Sequence, residues 1–477
     1  MVRYGSVLFT AFAGVLVHGK VMSPPRGWNS YDSYTANVNE TEFLANCQAM
    51  ADLLLPSGFD TCVIDYLWYQ TAGGLWALDE FCRPIPDVQR WPSSAGGKGF
   101  KKVADKVHSM GLKFGIHIMR GTSTYAQEKG CMIKGTDNIT MDSIVSNDPD
   151  AACPWKPDSL GVNVSAPGGQ EFYDSLYEQY ALDWDVDFIK NDCVFRSKRV
   201  DEIKAQARSI EKVASTRPIV YSLSPGISHN FADEVLTAKA VASSVNMYRI
   251  TNDDWDVWSD LKVHFDAAAA FAGMIGAPGL LGGRSFPDLD MLPIGFVTQP
   301  GDSHAAPDHW SHLTADEQRL QVTLWAIARS PLFFGGAVTK LLEHATDPNA
   351  ALVLQLLTNP VVLAINADSS ENRQIQSLGD QRAWAATLPP SSRAASSAAT
   401  TAATFACALF NTGDSAASLG VVVTDILGAG TDARSSCSKL AVTDAWSGKR
   451  LGDVDAMGTL NATVASHGAR LFQLNCI

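Results

Sequence analysis

Charged residues are scarce in this sequence, and those present are mostly acidic. Only 18% of its 477 residues are charged, and 37 Lys and Arg stand against 50 Asp and Glu, for a formal net charge of −13. Such an acidic protein is poorly suited to binding nucleic acid or an anionic membrane face. We therefore expect neither nucleic acid nor a membrane as a partner, and favour a neutral polar one. Hydrophobic residues reach 46%, which excludes a mainly disordered chain.

Three common signatures are missing. The sequence has no Cys-x-x-Cys pair, which disfavours a zinc or redox motif, and no Gly-x-Ser-x-Gly, which disfavours a serine hydrolase. No Gly-x-Gly-x-x-Gly follows the first predicted strand, which disfavours a dinucleotide site. The nine cysteines are an odd number, so at least one is unpaired within the chain. Cys62 is the expected free thiol because it lies in the apolar run from Thr61 to Ile64.

The N-terminus has the pattern of a signal peptide, which we assign to residues 1–19. Arg3 gives a positive start, Val7 to Val17 form an apolar run, and Val17-His18-Gly19 resembles a cleavage site. A buried first strand or helix is the alternative. Four N-glycosylation sequons follow, at Asn39, Asn138, Asn163 and Asn461. Together these features predict a secreted eukaryotic glycoprotein, located extracellularly, in a cell wall, or in a vacuole or lysosome.

Short apolar runs alternate with segments of helical period between residues 24 and 340. The predicted strands are an opening strand near Gly27–Ser30, then Thr61–Asp65, Leu112–His117, Asp187–Asp192, Pro218–Leu223 and Ser244–Arg249. The predicted helices are Glu42–Leu55, Gly99–Met110, Gln170–Trp184, Asp201–Thr216 and Trp258–Gly273, and two further units fit around Gly279–Met291 and Leu320–Phe334. About eight such units predict an α/β fold closed as a (β/α)8 TIM barrel. A doubly wound open sheet is the alternative.

The composition changes after Asp368. Pro389 to Thr404 is rich in Ser, Ala and Thr and predicts a loose loop. Strand-like segments surround it, at Ala383–Ala386, Thr404–Phe410, Gly420–Thr424 and Arg470–Leu474. We predict a catalytic barrel over residues 20–368 and a C-terminal antiparallel β-sandwich domain over residues 369–477, packed against the barrel side. A fully separate sugar-binding module is the alternative.

Acidic residues stand at the ends of several predicted strands. These ends carry Asp65, Lys190-Asn191-Asp192, Arg249 to Asp253, and Asp288 with Asp290. In a (β/α)8 barrel the C-terminal strand ends form the active site, so these groups are expected at one mouth. Neighbouring aromatic residues, Trp28, Tyr31, Tyr66, Trp68 and Trp155, suit the apolar face of a sugar ring. Hydrolysis of a glycosidic bond needs a pair of carboxyl groups, so the pattern predicts a glycosidase.

Each of these residues also has a structural interpretation. A strand-end Asp often caps the following helix, and Lys190 could be a plain salt-bridge partner. A purely structural role for the whole set is disfavoured, because the strand ends of a (β/α)8 barrel bring all of these groups to the same mouth. His304, His309 and His312 lack a clean metal-ligand spacing, and the segment from Asp253 to Asp256 lacks the glycine of a calcium loop. We therefore predict no metal and no cofactor.

Several segments together resemble the signatures of glycoside hydrolase family 27. They are Pro24–Tyr31, Val63–Asp65, Gly111–Ile116, Val186–Asp192, Pro287–Leu292, Trp325–Leu332 and Asn359–Asp368. The resemblance covers the whole predicted barrel in order. It implies a retaining enzyme related to α-galactosidases and α-N-acetylgalactosaminidases, with a C-terminal β-domain after the barrel.

The resemblance also implies roles for individual residues. Asp192, in the family's Lys-x-Asp strand end, is the expected nucleophile, and Asp253, in its Arg-x-x-x-Asp pattern, is the expected acid/base. Asp65 and Lys190 are expected to hold sugar hydroxyls, and Arg249 to contact the 2-hydroxyl side. With the aromatic residues, the expected substrate-binding set is Trp28, Tyr31, Asp65, Tyr66, Trp155, Lys190, Ser224, Arg249 and Asp290.

The sequence departs from the family pattern at Tyr66. Where the family has Asp-Asp-Cys-Trp, this chain has Asp65 to Trp68 as Asp-Tyr-Leu-Trp, so a tyrosine replaces the acid that helps to bind the galactose hydroxymethyl side. A bulky ring there favours β-L-arabinopyranose, which lacks that group. Tyr31 replaces the usual tryptophan, and Ser222 to Gly226 replaces the strand end that reads the 2-substituent. The latter disfavours a typical N-acetylgalactosaminidase.

These departures resemble a plant-type branch described as β-L-arabinopyranosidase with α-galactosidase activity. The family commonly has a cysteine two residues after the nucleophile, whereas here Cys193 follows Asp192 directly, and a bridge from Cys193 to Cys153 fits this change. The expected reaction is removal of terminal β-L-arabinopyranosyl or α-D-galactosyl units from a carbohydrate substrate with retention. Glycosyl transfer to an acceptor sugar and a catalytically silent sugar-binding protein are the alternatives, and a homodimer is compatible with the sequence.

Overall fold

The computed structural model describes residues 20–195, 199–225, 231–301, 306–389, 403–428 and 437–477. The predicted leader over residues 1–19, Gly226 and His304 lie outside the described residues. So does most of the Ser- and Ala-rich segment that follows Pro389.

Eight parallel strands form a closed barrel in the first part of the chain. This part of the chain also contains five two-residue strands outside the parallel ring. In chain order, the strands are β1 (Arg26–Asn29), β2 (Thr61–Ile64), β3 (Lys113–Met119), β4 (Thr122–Ser123), β5 (Ser159–Leu160), β6 (Phe188–Phe195), β7 (Val220–Pro225), β8 (Met247–Arg249), β9 (Ala277–Pro278), β10 (Arg284–Asp288), β11 (Phe296–Val297), β12 (His309–Trp310) and β13 (Leu332–Phe334). The parallel order is β13-β1-β2-β3-β6-β7-β8-β10, with β9 antiparallel beside β10. Leu292, just after β10, pairs in parallel with Phe334 and closes the ring. The predicted (β/α)8 barrel is confirmed.

Helices of the barrel surround this sheet. They are α1 (Tyr31–Tyr34), α2 (Glu40–Leu53), α3 (Lys101–Ser109), α4 (Thr124–Lys129), α5 (Met141–Ile144), α6 (Gly169–Glu178), α7 (Val200–Val213), α8 (Phe231–Val241), α9 (Trp258–Lys262), α10 (His264–Phe271), α11 (Ala315–Ile327), α12 (Val338–Glu343), α13 (Pro348–Thr358) and α14 (Pro360–Asp368). Capping boxes begin α2, through Asn39 and Glu42, and α11, through Thr314 and Glu317. Each box satisfies backbone N–H groups that the first helical turn leaves free, so the sequence fixes where these helices begin.

The inside of the barrel is filled from alternate strands. Val63, Phe188, Met247 and Phe333 pack together with Met291, and the first four come from β2, β6, β8 and β13. Such layers of four side chains from every second strand are typical of a packed TIM barrel. The carboxyl ends of the strands lie above this layer, which leaves them free to carry polar groups.

The chain continues as a two-layered antiparallel domain. Its elements are β14 (Ser370–Leu378), β15 (Gln381–Leu388), β16 (Thr404–Asn411), β17 (Ala417–Val422), α15 (Val423–Leu427), β18 (Lys439–Asp444), β19 (Arg450–Asp455), β20 (Thr459–Val464) and β21 (Gly468–Cys476). One sheet has the order β14-β15-β16-β21-β18-β19 and the other pairs β17 with β20. The domain packs on the barrel, where Phe410 meets Phe265 edge-on at 5.1 Å and the Trp446 Nε1 donates to Thr323 Oγ1 at 3.1 Å.

The apolar stretch Pro348–Asp368 is long enough and apolar enough to cross a membrane. It consists of α13 and α14, which meet at Asn359 and Pro360. Its buried members in the main core are Ala350, Val353, Leu356, Leu357, Val362, Leu363 and Ile365. The stretch therefore contributes a pair of core helices.

Four disulfides pair eight of the nine cysteines. They are Cys47–Cys62, Cys82–Cys131, Cys153–Cys193 and Cys437–Cys476. The predicted Cys153–Cys193 bridge is present, but the prediction of Cys62 as the free thiol is wrong. Val63 points into the barrel, so its neighbour Cys62 points outward to α2, where Cys47 lies. The free cysteine is Cys407, buried in β16 within the sandwich.

Thiol titration tests this pairing. Burial raises the pKa of the Cys407 thiol to about 12, so we expect no reaction with a thiol reagent in the native, non-reduced protein. In denaturant without reductant, we expect one reactive thiol per chain. Cys407→Ser is the control and should show none. Two or more thiols in the denatured wild type contradict the four bridges.

Candidate active site

One cavity opens at the carboxyl ends of the barrel strands. Its volume is about 500 Å³. The described residues that line it are Tyr31, Asp32, Asp65, Tyr66, Trp155, Lys190, Asp192, Arg249, Asn252, Asp253, Asp254, Trp255, Asp290 and Met291. Many of them lie at or just beyond the ends of β1, β2, β6, β8 and β10, as expected where barrel strands converge. The cavity therefore combines acidic, basic and aromatic groups in one place.

Asp192 lies in β6, and both of its carboxylate oxygens have hydrogen-bond partners. His117 Nε2 lies 3.0 Å from Oδ2, and the backbone N–H of Cys193 donates to Oδ1 at 2.6 Å. Burial raises the pKa of Asp192, but the hydrogen bond and charge of His117, together with the positive charges of Arg249 and Lys190, outweigh that effect. The pKa of Asp192 therefore lies below its ordinary value, and the carboxylate is ionised and fixed in orientation.

The backbone after Asp192 is held in an unusual conformation. Cys193 has a φ of 59°, in the left-handed region that non-glycine residues rarely adopt. Its sulfur is bonded to Cys153, and its carbonyl accepts from Arg120 Nε at 3.0 Å. Arg120 is buried and pairs with Glu202 at 3.0 Å. These contacts fix the N–H group that binds Asp192 Oδ1.

Arg249, at the end of β8, divides its guanidinium between two carboxylates. Nη1 donates to Asp290 Oδ1 at 3.0 Å, and Nη2 donates to Asp253 Oδ1 at 2.5 Å. The Asp253 side chain is 61% exposed, whereas that of Asp290 is 3% exposed. Asp253 therefore stands at the mouth of the cavity, where a proton can pass to a leaving group or come from water.

Asp290 is fixed from several sides. Its φ of 89° is in the left-handed region, and its N–H donates to Asp288 Oδ1 at 3.0 Å while its carbonyl accepts from Trp325 Nε1 at 2.8 Å. The backbone N–H of Asp254 donates to its Oδ2 at 2.9 Å. Burial raises the pKa of Asp290, and the charge of Arg249 opposes this only in part.

Asp65 and Lys190 form a buried ion pair on another side of the cavity. Lys190 Nζ donates to Asp65 Oδ2 at 2.8 Å, and Asn29 Nδ2 donates to the same oxygen at 2.6 Å. Burial raises the pKa of Asp65, but the charges of Lys190 and His117 and these hydrogen bonds hold it below its usual range. Burial lowers the pKa of Lys190, but the negative charges of Asp65, Asp192 and Asp290 together outweigh that effect, so the pKa lies above its ordinary value. Both groups are therefore charged, and each can still bind a hydroxyl group of a ligand.

Four aromatic side chains form a row along the cavity. Tyr31 lies 6.0 Å from Trp255 and 6.4 Å from Tyr66, measured between ring centroids. Tyr66 in turn lies 5.8 Å from Trp155 and 5.5 Å from the ring of His117. Tyr66 is thus held by edge contacts on three sides, which fixes how far its ring extends into the cavity.

Two of the residues expected to bind substrate do not line the cavity. Trp28 is fully buried, donates from Nε1 to the carbonyl of Gly336 at 2.9 Å, and packs on Phe43 of α2. Its position in β1 directs the ring towards the helices instead of the mouth. Ser224 is buried in β7 and is likewise absent from the described lining. The other expected residues, Tyr31, Asp65, Tyr66, Trp155, Lys190, Asp192, Arg249, Asp253 and Asp290, come together in the cavity.

The structure adds residues that the sequence analysis did not single out. One of them is His117, which contacts Asp192. Others are residues that line the cavity: Asn252, Asp254, Trp255 and Met291. Asp32 is the most unusual, because its carboxyl is buried and Oδ2 has no hydrogen-bond partner among the described residues. Burial, and then the negative charge of Asp290, raise its pKa well above the ordinary value. The strand-end rule could have found Asp32, since it lies three residues beyond β1.

Comparisons with known proteins identify the family to which the chain is similar. A family model described as alpha galactosidase A matches residues 159–368, and one described as alpha galactosidase C-terminal beta sandwich domain matches residues 379–474. The chain is 24% identical to the alpha-galactosidase of Coffea arabica over 463 residues, covering 96% of each protein. It is also 25% identical to alpha-galactosidase 3 of Arabidopsis thaliana, over 81% of this chain and 71% of that protein.

Solved structures include relatives with higher sequence identity. The β-L-arabinopyranosidase of glycoside hydrolase family 27 from Geobacillus stearothermophilus is 33% identical, with a TM-score of 0.80 over 95% of this chain and 96% of that one. A variant of that enzyme in complex with arabinose superposes with a TM-score of 0.81 over 95% of this chain and 97% of that one, at 33% identity. A putative alpha-N-acetylgalactosaminidase from Bacillus halodurans is 31% identical, with a TM-score of 0.78 over 96% of this chain and all of that one. The chain therefore belongs to glycoside hydrolase family 27 and is a glycoside hydrolase.

Proposed function

We propose that the enzyme removes terminal β-L-arabinopyranosyl and α-D-galactosyl units from carbohydrates, with retention of anomeric configuration. The observation that carries this proposal is that Asp192 and Asp253 line the same cavity with different surroundings. Asp192 is enclosed, hydrogen-bonded and ionised, whereas Asp253 is open to solvent. A retaining glycosidase needs two carboxyl groups with these two roles.

In the first step, the Asp192 carboxylate attacks the anomeric carbon of the terminal sugar. The bond from this carbon to the leaving oxygen breaks, and Asp253 donates a proton to that oxygen. The hydrogen bonds from His117 and from the N–H of Cys193 hold the attacking group in one orientation. The product is a covalent glycosyl-enzyme on Asp192 and a released alcohol.

In the second step, water replaces the released alcohol at the mouth. Asp253, now ionised, takes a proton from the water as its oxygen bonds to the anomeric carbon, and Asp192 leaves. The exposed position of Asp253 gives it access to both the departing alcohol and the arriving water. Lys190 with Asp65, and Arg249 with Asp290, offer the charged groups that bind the sugar hydroxyls.

Tyr66 supports a preference for the pentose. Its ring is enclosed by Tyr31, Trp155 and His117, so it cannot swing out of the cavity without disturbing these contacts. A galactose unit differs from β-L-arabinopyranose by a hydroxymethyl group, which must find space beside that ring. The 33% identical relative is named a β-L-arabinopyranosidase. We therefore rank the arabinopyranoside above the galactoside.

We also propose that the protein acts in a secretory or vacuolar compartment. Four disulfides require oxidising conditions to form. The sequon asparagines Asn138, Asn163 and Asn461 are exposed and accessible to glycosylation. We place the boundary between the two domains at residues 368 and 369, because α14 ends at Asp368 and β14 begins at Ser370.

Paired substitutions test the two carboxyl roles. We expect Asp192→Asn to lower kcat on the arabinopyranoside on the order of 10⁴-fold or more, because the nucleophile is lost. We expect Asp253→Asn to act much better on an aryl glycoside with a good leaving group than on an alkyl glycoside, because a good leaving group needs no proton. Circular dichroism of each variant controls for folding. Near-wild-type turnover by Asp192→Asn, or a first-formed sugar of inverted configuration by NMR, contradicts the mechanism.

Exchange of Tyr66 tests the substrate preference. We expect Tyr66→Asp to shift the ratio of kcat/KM for p-nitrophenyl β-L-arabinopyranoside and α-galactoside towards the galactoside by about tenfold or more, since the ring is removed and a hydroxyl-binding acid is introduced. Tyr66→Phe keeps the ring and should leave the ratio near its wild-type value. An unchanged ratio in Tyr66→Asp, with measurable activity on both substrates, counts against a steric role for the ring.

The pH profile tests the role of His117. This side chain holds the pKa of Asp192 below its ordinary value, so removing it makes the carboxylate easier to protonate. We expect the acidic limb of the kcat/KM profile to move to higher pH in His117→Asn. His108→Asn is the matched control, because His108 pairs with Asp187, outside the cavity lining, and should leave that limb in place. An acidic limb that stays in place in both variants refutes this role for His117.

A further inference from the structure

Three side chains with metal-ligating atoms meet beside the segment that carries Asp253. Asp256 Oδ2 lies 2.9 Å from His312 Nδ1 and 3.2 Å from His309 Nε2, and one ligating atom from each residue lies within 4.8 Å of the others. We propose that this histidine–aspartate cluster (Asp256, His309 and His312) binds a divalent transition-metal ion of the zinc class.

The spacing of the ligating atoms fits a tetrahedral ion. Zinc binds histidine nitrogen and carboxylate oxygen at about 2.0 to 2.1 Å, which places two ligating atoms of a tetrahedron about 3.3 Å apart. The two contacts of Asp256 Oδ2, at 2.9 and 3.2 Å, are close to that value. Small side-chain adjustments are enough to accept the ion. Two imidazoles and one carboxylate suit zinc and its neighbours, whereas calcium and magnesium prefer oxygen ligands throughout.

The surroundings of His309 supply a second, independent argument. Its other ring nitrogen, Nδ1, is in contact with the carboxylate of Asp308. An N–H at Nδ1 that donates to Asp308 leaves a lone pair on Nε2, which then faces the negatively charged oxygen of Asp256. The lone pair and the carboxylate oxygen repel each other, and a cation bound between the two atoms would attract both. A histidine that binds a metal through one nitrogen and a carboxylate through the other is the usual pattern in metalloproteins.

The negative charges of the cluster are not neutralised by a neighbouring lysine or arginine in the described residues. Across the described ranges, no lysine or arginine forms an ion pair with Asp256 or Asp308. A second group of potential ligands, Asp105, His108 and Asp185, differs in this respect. There Lys101 lies 3.3 Å from Asp185, and Arg217 lies 3.0 Å from it. That group is already neutralised and has a single histidine, which disfavours a bound cation there.

The exposure of the cluster suits an ion that enters from solvent. The Asp256 side chain is 6% exposed and that of His312 is 63% exposed, so a buried anchor lies beside an open side. The backbone N–H of His312 also donates to Asp256 Oδ2 at 2.7 Å, and the two imidazole rings stack at 4.4 Å. Water can complete the coordination on the open side. The ion then links the segment of Asp253 to the β11–β12 hairpin.

Titration calorimetry with ZnCl₂ tests the site on the untagged, full-length protein after chelator treatment. We expect one high-affinity zinc ion per chain, and a rise in Tm on adding zinc. We expect His312→Ala and Asp256→Asn to lose this binding, and Asp308→Asn to weaken it by about tenfold or more. His344→Ala is the matched control. His344 is exposed and packs on Trp310 of the same hairpin but lies outside the cluster, so this variant should bind zinc as the wild type does.

Two further measurements make the result decisive. Co²⁺ bound to the wild type should give the strong visible absorption of a tetrahedral site, and His312→Ala should not. Circular dichroism with chelator present verifies that each variant is folded. The exposed position of His312 makes that variant the safest one to interpret. Zinc binding that is absent from the wild type, or equal in the wild type and all ligand variants, overturns the proposal.

Discussion

The packing of several aspartates around one cavity is the constraint on which the rest of the site depends. Asp32, Asp65, Asp192, Asp253, Asp254 and Asp290 all line it. Like charges so close together repel strongly where water is excluded. Among the described lining residues, only Lys190 and Arg249 carry a permanent positive charge. The site must therefore divide its acids into ionised groups with a cationic partner and groups that keep a proton.

Burial and pairing decide which acid belongs to which group. Asp65 faces Lys190, and Asp192 faces His117, and the pKa of each acid lies below its ordinary value. Burial raises the pKa of Asp32 well above that value, and no lysine or arginine bonds to this acid in the part of the chain that the structure describes. One cavity thus holds an ionised carboxylate, that of Asp192, and a carboxyl group, that of Asp32, that can donate a hydrogen bond. A neutral ligand rich in hydroxyl groups can satisfy both, since each hydroxyl donates and accepts.

The strand ends of a barrel can be predicted from sequence because they converge whatever the details of packing. Asp65 and Asp192 reach the cavity for that reason. The direction of a side chain within a short strand is harder to predict, since an apolar run has no polar alternation to mark its faces. Trp28 and Cys62 both point to the helix layer, which is why one misses the cavity and the other forms a disulfide. In the histidine–aspartate cluster, Asp256 lies 53 residues before His309 and 56 before His312, so the sequence spacing shows no metal motif.

The C-terminal domain also acts on the segment that follows Asp253. His467 of that domain stacks on Trp258 at 3.9 Å, at the start of α9, and its Nδ1 lies 2.8 Å from Glu317 of α11. The stacked ring of His467, itself held by its hydrogen bond with Glu317, fixes one end of the segment, while Asp256 is held at its contacts with the β11–β12 hairpin. Asp253 lies between the Arg249 contact and these anchors. The sandwich domain therefore adds an anchor to the segment of Asp253, beyond the contacts that the barrel supplies through Arg249 and Asp290.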